Sequence, residues 1–240
     1  MNVSYDALRR AGSWGFLVAA LSWCASTASA GVISGVTIFG PQPATGPGLG
    51  VVAIPAINTI NIDNDNVPAP GVGDNNIAVP LKRFDFNDYI DIEFRVAPTN
   101  GVTEYTLFES VDNNTFVPWN TYTMVLGYGT GAGFVQSVPG DGLDFDNPTY
   151  DTPPSTNGGL TTILAPDEDT LVFTGGIHGL GAQSYVVRID VPNIPTFPNF
   201  SNFTIRQYPT PVPEPGTWAL LGLGVVGLAG YGLRRKQQAV

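Results

Sequence analysis

Apolar and polar residues alternate with a period of two through most of the chain between residues 31 and 208. In Ile90-Asp91-Ile92-Glu93-Phe94-Arg95-Val96 the alternation is strict. Such a segment lays one face on a core and the other in water, as a half-buried strand does. Tyr122, Met124, Leu126 and Tyr128 alternate with Thr123, Val125 and Gly127. Tyr185, Val187, Ile189 and Val191 alternate with Val186, Arg188 and Asp190. Shorter runs at 32–39, 57–62, 102–111, 161–164, 170–173 and 203–207 predict further strands. Turn-forming residues stand between them: Pro98-Thr99-Asn100-Gly101, Asp112-Asn113-Asn114, Pro139-Gly140-Asp141-Gly142 and Gly175-Gly176. Helical spacing is confined to the two ends. The predicted fold of 31–208 is all-β, an antiparallel β-sandwich of jelly-roll or immunoglobulin-like topology.

The ends follow a different pattern. Arg9 and Arg10 precede an apolar stretch from Trp14 to Ala25, and the small residues Ala28-Ser29-Ala30 follow. A charged start, an apolar centre and an A-x-A exit predict a secretory signal peptide over 1–30, cut after Ala30. Cys24 lies inside it, so the exported chain has no cysteine and no disulfide or thiol chemistry. At the other end no charge occurs from Trp218 to Leu233. As a helix this run spans about 24 Å, somewhat short of a hydrocarbon core of roughly 30 Å. A transmembrane helix is expected over 218–233, weakened by glycines, with Arg234, Arg235 and Lys236 as a stop-transfer cluster in a basic cytoplasmic tail, 234–240. Between strand pattern and helix, 209–217 is a Pro-rich linker holding Pro213, Glu214 and Pro215. Its prolines lock φ and remove backbone donors, which keeps the segment extended and open to a protease.

Pro-Glu-Pro, an apolar run and an Arg-rich tip, in that order, resemble the PEP-CTERM sorting signal of Gram-negative bacteria. The resemblance covers about a tenth of the chain. It implies processing by an exosortase, a membrane-embedded protease, with the tail as a transient anchor in the inner membrane. The destination it implies is the cell envelope, the surface or the extracellular matrix. Within the body, residues 84–146 carry TEYTLFESVDNNT, a Trp-led strand into LGYGTGAGF, and DGLDFD. They resemble the bacterial choice-of-anchor secreted domains, all-β modules that vary in their C-terminal anchor. That likeness implies no catalysis.

Charge narrows the partners. Residues 31–212 hold eighteen acidic and five basic side chains, a net −13. Nucleic acid and anionic lipid are disfavoured, because phosphates need Lys and Arg. Divalent cations are compatible. Asp63 and Asp65 in Asp63-Asn64-Asp65-Asn66, and Asp141, Asp144 and Asp146, are candidate calcium ligands, since hard cations take several oxygens. Polar turns explain the same residues. No cofactor is otherwise expected. Trp119, Tyr122 and Tyr128 could stack on a sugar or pack in the core, and core is preferred. Gly127 to Gly133 lacks the spacing and following helix of a dinucleotide fingerprint. His178, the only histidine, has no nitrogen or sulfur partners for zinc and no nucleophile elbow. Asp91, Glu93, Glu104 and Glu109 could supply a hydrolytic carboxylate pair only if two of them face each other about 5–9 Å apart. The expectation is therefore a non-enzymatic exported protein, structural or adhesive, linked to exopolysaccharide or biofilm matrix. A carbohydrate-binding module is the alternative and a polysaccharide hydrolase the second.

Overall fold

The computed structural model describes residues 31–62, 73–99, 102–146, 150, 152–192, 202–213, 216, 221–226 and 228. Two β-sheets pack face to face. Strands β1 (Gly31–Val36), β2 (Leu49–Val52) and β3 (Ala56–Asn58) lead into β4 (Asn76–Phe84), β5 (Ile90–Pro98) and β6 (Thr103–Asn113). Then come β7 (Trp119–Tyr128), β8 (Val135–Gln136), β9 (Ser155–Thr156), β10 (Thr162–Asp167) and β11 (Thr170–Thr174). The chain returns through β12 (Gly181–Val191) and β13 (Asn202–Pro211). One sheet has the order β1-β5-β13-β7-β11-β10, with β8 against β7; the other is β2-β4-β6-β12-β9, with β3 against β4. The antiparallel sandwich expected from the alternation is present, with one exception: β4 and β6 run parallel.

The alternation decides which side chains meet between the sheets. Ile90, Ile92, Phe94, Phe203 and Ile205 point inward from one sheet, and Tyr105, Leu107, Val187 and Ile189 from the other, all buried. Each such side chain stabilises the fold by roughly 1.5–3 kcal/mol on transfer from water.

Two departures from the sequence pattern have physical causes. The pattern predicts no strand over Asn76–Phe84, because Pro80 and Lys82-Arg83 interrupt it. The register shifts between Val79 and Lys82, where one residue is in excess over β6. This bulge takes Pro80, which cannot donate to a ladder, and it reverses the facing of the residues after it. Ile77 and Val79 point inward before it, and Lys82 and Phe84 beyond it. The second departure is the domain boundary. The strand expected to stop near 208 continues through Pro209, Thr210 and Pro211, opposite Tyr122, Thr121 and Trp119. The expected linker therefore begins at Val212, whose N–H donates to the Pro118 carbonyl at 2.8 Å. Residues two apart in a strand donate to the same side. Pro209 and Pro211 thus turn their missing donors the other way, beyond Gln207–Ile90, where the β5 ladder ends.

Candidate functional site

The chain leaves its core at one end of the sandwich. β4 and β6 finish there together, Phe84 opposite Asn113, and β7, β12 and β5 start there. Asn113 organises the loops at this end. Its Nδ2 donates to the carbonyls of Val117 (2.9 Å) and Gly179 (3.3 Å), and its Oδ1 accepts from the Thr115 amide (3.0 Å) and hydroxyl (2.7 Å). Trp119 exchanges backbone hydrogen bonds with His178, and its Nε1 donates to Asn87 (2.9 Å) and Thr115 (3.1 Å). Val212 binds Pro118 within this same set of loops.

Beyond Val212 the described residues are few. Pro213 is exposed, and residues 221–226 and 228 are helical and exposed. No helix among the described residues is long and apolar enough to cross a membrane. Glu214 and Pro215 of the motif, the basic residues Arg234, Arg235 and Lys236, and the signal-cleavage residues Ala28 and Ala30 lie outside the described residues, as do Asp63 and Asp65.

The aromatic trio forms no platform. Trp119 and Tyr122 are completely buried: they stand three apart on β7, and the register shift against β13 between Trp119 and Thr121 brings both to the inner face. Their rings lie 6.2 Å apart, and Phe84 approaches edge-on at 5.3 Å from Trp119 and 6.1 Å from Tyr122. Tyr128 is half-buried, and its hydroxyl donates to Asp141 at 3.0 Å. His178 belongs to the same packing. Its Nε2–H donates to the Gly181 carbonyl (3.1 Å), which leaves Nδ1 to accept from the Tyr185 hydroxyl (2.9 Å). Burial lowers its pKa, and the ring is a neutral core residue.

The carboxylates that could have made a hydrolytic pair are divided between the core and two outer faces. Asp91 and Glu93 share the outer face of the first sheet. There Asp91 takes a two-point ion pair from Arg206 (2.7 and 2.8 Å). The guanidinium is sandwiched between Tyr89 and Phe134, 4.0 and 4.1 Å from their ring centroids. Asp91 also accepts from the Gly131 amide, and Arg206 donates to the Gly131 carbonyl, both at 2.7 Å. The glycine-rich segment is thus a loop strapped back over the sheet. Glu104 pairs with Arg188 on the second sheet. Glu109 alone points into the core, where Lys82 and Gln207 bind it. Gln207 comes from the opposite sheet and also accepts from Lys82, so this cluster ties the two layers together. Burial, countered by Glu109, lowers the Lys82 pKa to about 8.

The third acidic candidate sits at the opposite end of the sandwich. Asp141 is engaged by four donors: Ser137 (2.7 Å), Tyr128 (3.0 Å), Leu143 (3.0 Å) and Val138 (3.4 Å). Asp144 accepts from the Asp146 amide at 2.7 Å, a polar turn. Among the described residues no three metal-ligating side chains come together. The residue missed by sequence reasoning is Asp169, in the turn between β10 and β11. It is buried, and neither carboxylate oxygen has a hydrogen-bond partner among the described residues. That burial, with Asp141, Glu168, Asp167 and Asp144 nearby, pushes its pKa up to about 7.

Fold and tail together define a two-sheet sandwich whose last core strand runs directly into a processing segment. A family model for the PEP-CTERM protein-sorting motif matches residues 211–236. The chain therefore carries a PEP-CTERM sorting signal, which marks an exported protein handled by an exosortase, a membrane protein, through a membrane-anchored intermediate. No curated protein and no solved structure matches the chain. The likeness of residues 84–146 to choice-of-anchor domains rests on those sequence segments alone.

Proposed function

We propose that the body is a non-enzymatic structural or adhesive component that the sorting system delivers to the envelope, surface or extracellular matrix of a Gram-negative cell, in contact with exopolysaccharide. The observation that carries this reading is the junction itself. The motif begins at Pro211, the last residue of a central core strand, so cleavage beyond it releases an intact sandwich. Three of the four carboxylates weighed as a hydrolytic pair support it: Asp91, Glu104 and Glu109 are each neutralised by a basic partner. Intact-mass analysis of the protein from its host, with and without the exosortase, tests it. The mature mass should lack the tail when the protease is present and keep it when the protease is deleted. An unchanged chain ending at Val240 in both strains would overturn the reading.

A second reading, a carbohydrate-binding surface, has one observation in its favour. A shallow groove of about 230 Å³ crosses β4, β6 and β12 on the outer face of the second sheet. Its floor includes the half-exposed ring of Phe108, flanked by Ala78 and Val186 in register and by the hydroxyl residues Ser110 and Ser184. An aromatic face beside hydroxyl groups suits the apolar face and polar rim of a sugar ring. Host exopolysaccharide should bind the protein and lose most of its affinity on Phe108→Ala; equal binding by the variant removes this reading.

A further inference from the structure

We propose that the loops surrounding the point where the tail leaves the body lie on the bilayer of the sorting intermediate, with Phe86, Phe116 and Leu180 seated in the interfacial lipid. The proposal rests on the membrane-anchored intermediate that the sorting motif implies, and it adds a second contact with that membrane, made by the folded domain. Three loops meet at the exit: 85–89, 114–118 and 175–180. Each presents apolar side chains to solvent, with Phe116 82% exposed, Phe86 65%, Leu180 63% and Ile177 53%. The loops hold one another. Asn114 Nδ2 donates to Asp85, Trp119 Nε1 to Asn87, and Asn113 Nδ2 to Val117 and Gly179. Phe116 is kept at φ 64°, a conformation that costs a bulky residue free energy, while its ring stands in water. Such a cost is expected where a side chain is displayed rather than packed.

Reach supplies the occupant. Val212 is bonded to Pro118 inside this loop set, and the apolar run begins at Trp218. Six residue steps span at most roughly 20 Å, so the loops cannot stand far from the lipid that receives the tail. Pro213 and Pro215 each fix their own φ, which limits how freely so short a connection can swing the exit end away from the bilayer. Charge agrees. Asp141, Asp144, Asp167, Glu168 and Asp169 cluster at the opposite end, away from the membrane. At the exit end, Asp85 is tied to Arg83 and Asn114, Asp112 stands opposite Arg83 in the ladder, and Asp88 would sit at headgroup depth. The contact is thus apolar and aromatic, the kind that favours the membrane–water interface, and it needs no anionic lipid.

The test uses the full chain in phosphatidylcholine proteoliposomes, with carbonate extraction to verify that the tail is integrated. A photoreactive benzoylphenylalanine replaces Phe116 in one sample and exposed Val138, at the acidic end, in another. Lipid adducts should form at 116 at least about fivefold more than at 138. The double variant F86D/F116D, at two exposed positions, should keep its melting temperature and lose most lipid adducts from a probe at Leu180. Equal labelling at 116 and 138, or adducts at 116 with protein in place of lipid, would overturn the proposal alone. A chain that carbonate removes from the vesicles would overturn the anchored intermediate as well.

Discussion

The two ends of the sandwich use the same turn vocabulary to opposite effect. At the exit end the organising side chain is an amide. Asn113 donates twice and accepts twice, and four groups from two loops are satisfied by one residue. At the far end the corresponding positions are carboxylates, which only accept. Asp141 finds enough donors; Asp169 finds none and is buried among like charges. Asn and Asp serve equally well in an exposed turn. Once buried they diverge, because an amide closes a network and a carboxylate adds charge to it.

The comparison breaks most visibly at Trp119. Trp119→Ala removes a fully buried ring and takes the indole donor away from Asn87 and from the Thr115 hydroxyl. It should cost about 3–5 kcal/mol in denaturant unfolding; a loss under about 1 kcal/mol would mean that the exit loops are not wired into the core. Asn113→Asp sharpens the contrast by giving the exit end the far end's chemistry at constant shape. We expect a loss of about 2–3 kcal/mol at pH 7, smaller at pH 4, where the acid can protonate and donate. Asp169→Asn does the reverse. The native carboxyl pKa is raised from 3.8 to about 7. Between those values the folded state holds a proton that the unfolded state has released, so native stability falls as pH rises through that window. The variant lacks that slope and should be more stable by roughly 1–2 kcal/mol at pH 8, read from melting curves across pH. Last, Phe116→Gly relieves the positive φ at an exposed site. It should change stability by only about 0.5 kcal/mol, in the stabilising direction, since part of the relief returns as backbone entropy.

Much of this protein is legible in its amino-acid order. β5, β7 and β12 stand in the alternation itself, because a sheet with one wet face writes its period directly into the chain. The sorting motif is legible for a similar reason: it acts as a local, extended segment and depends on no tertiary partner. β4 is not legible. Its bulge places two residues where one is counted, and after a one-residue slip every later side chain changes face. Lys82 therefore reads as a solvated base and is in fact buried against Glu109 and Gln207. The end of β13, from 209 to 211, escapes the pattern because prolines usually end a strand, and only the position of β5 shows that no donor is needed there.

By itself, then, the chain determined its class of fold, its acidic character and its sorting address, all of which are sums or periods over neighbouring residues. Tertiary structure decided which charges meet, that Trp119 and Tyr122 face inward, that Asp169 is stranded, and that the tail leaves beside four exposed apolar side chains. These facts depend on register between strands distant in sequence, and register is set by the packing of whole faces, which no local pattern records.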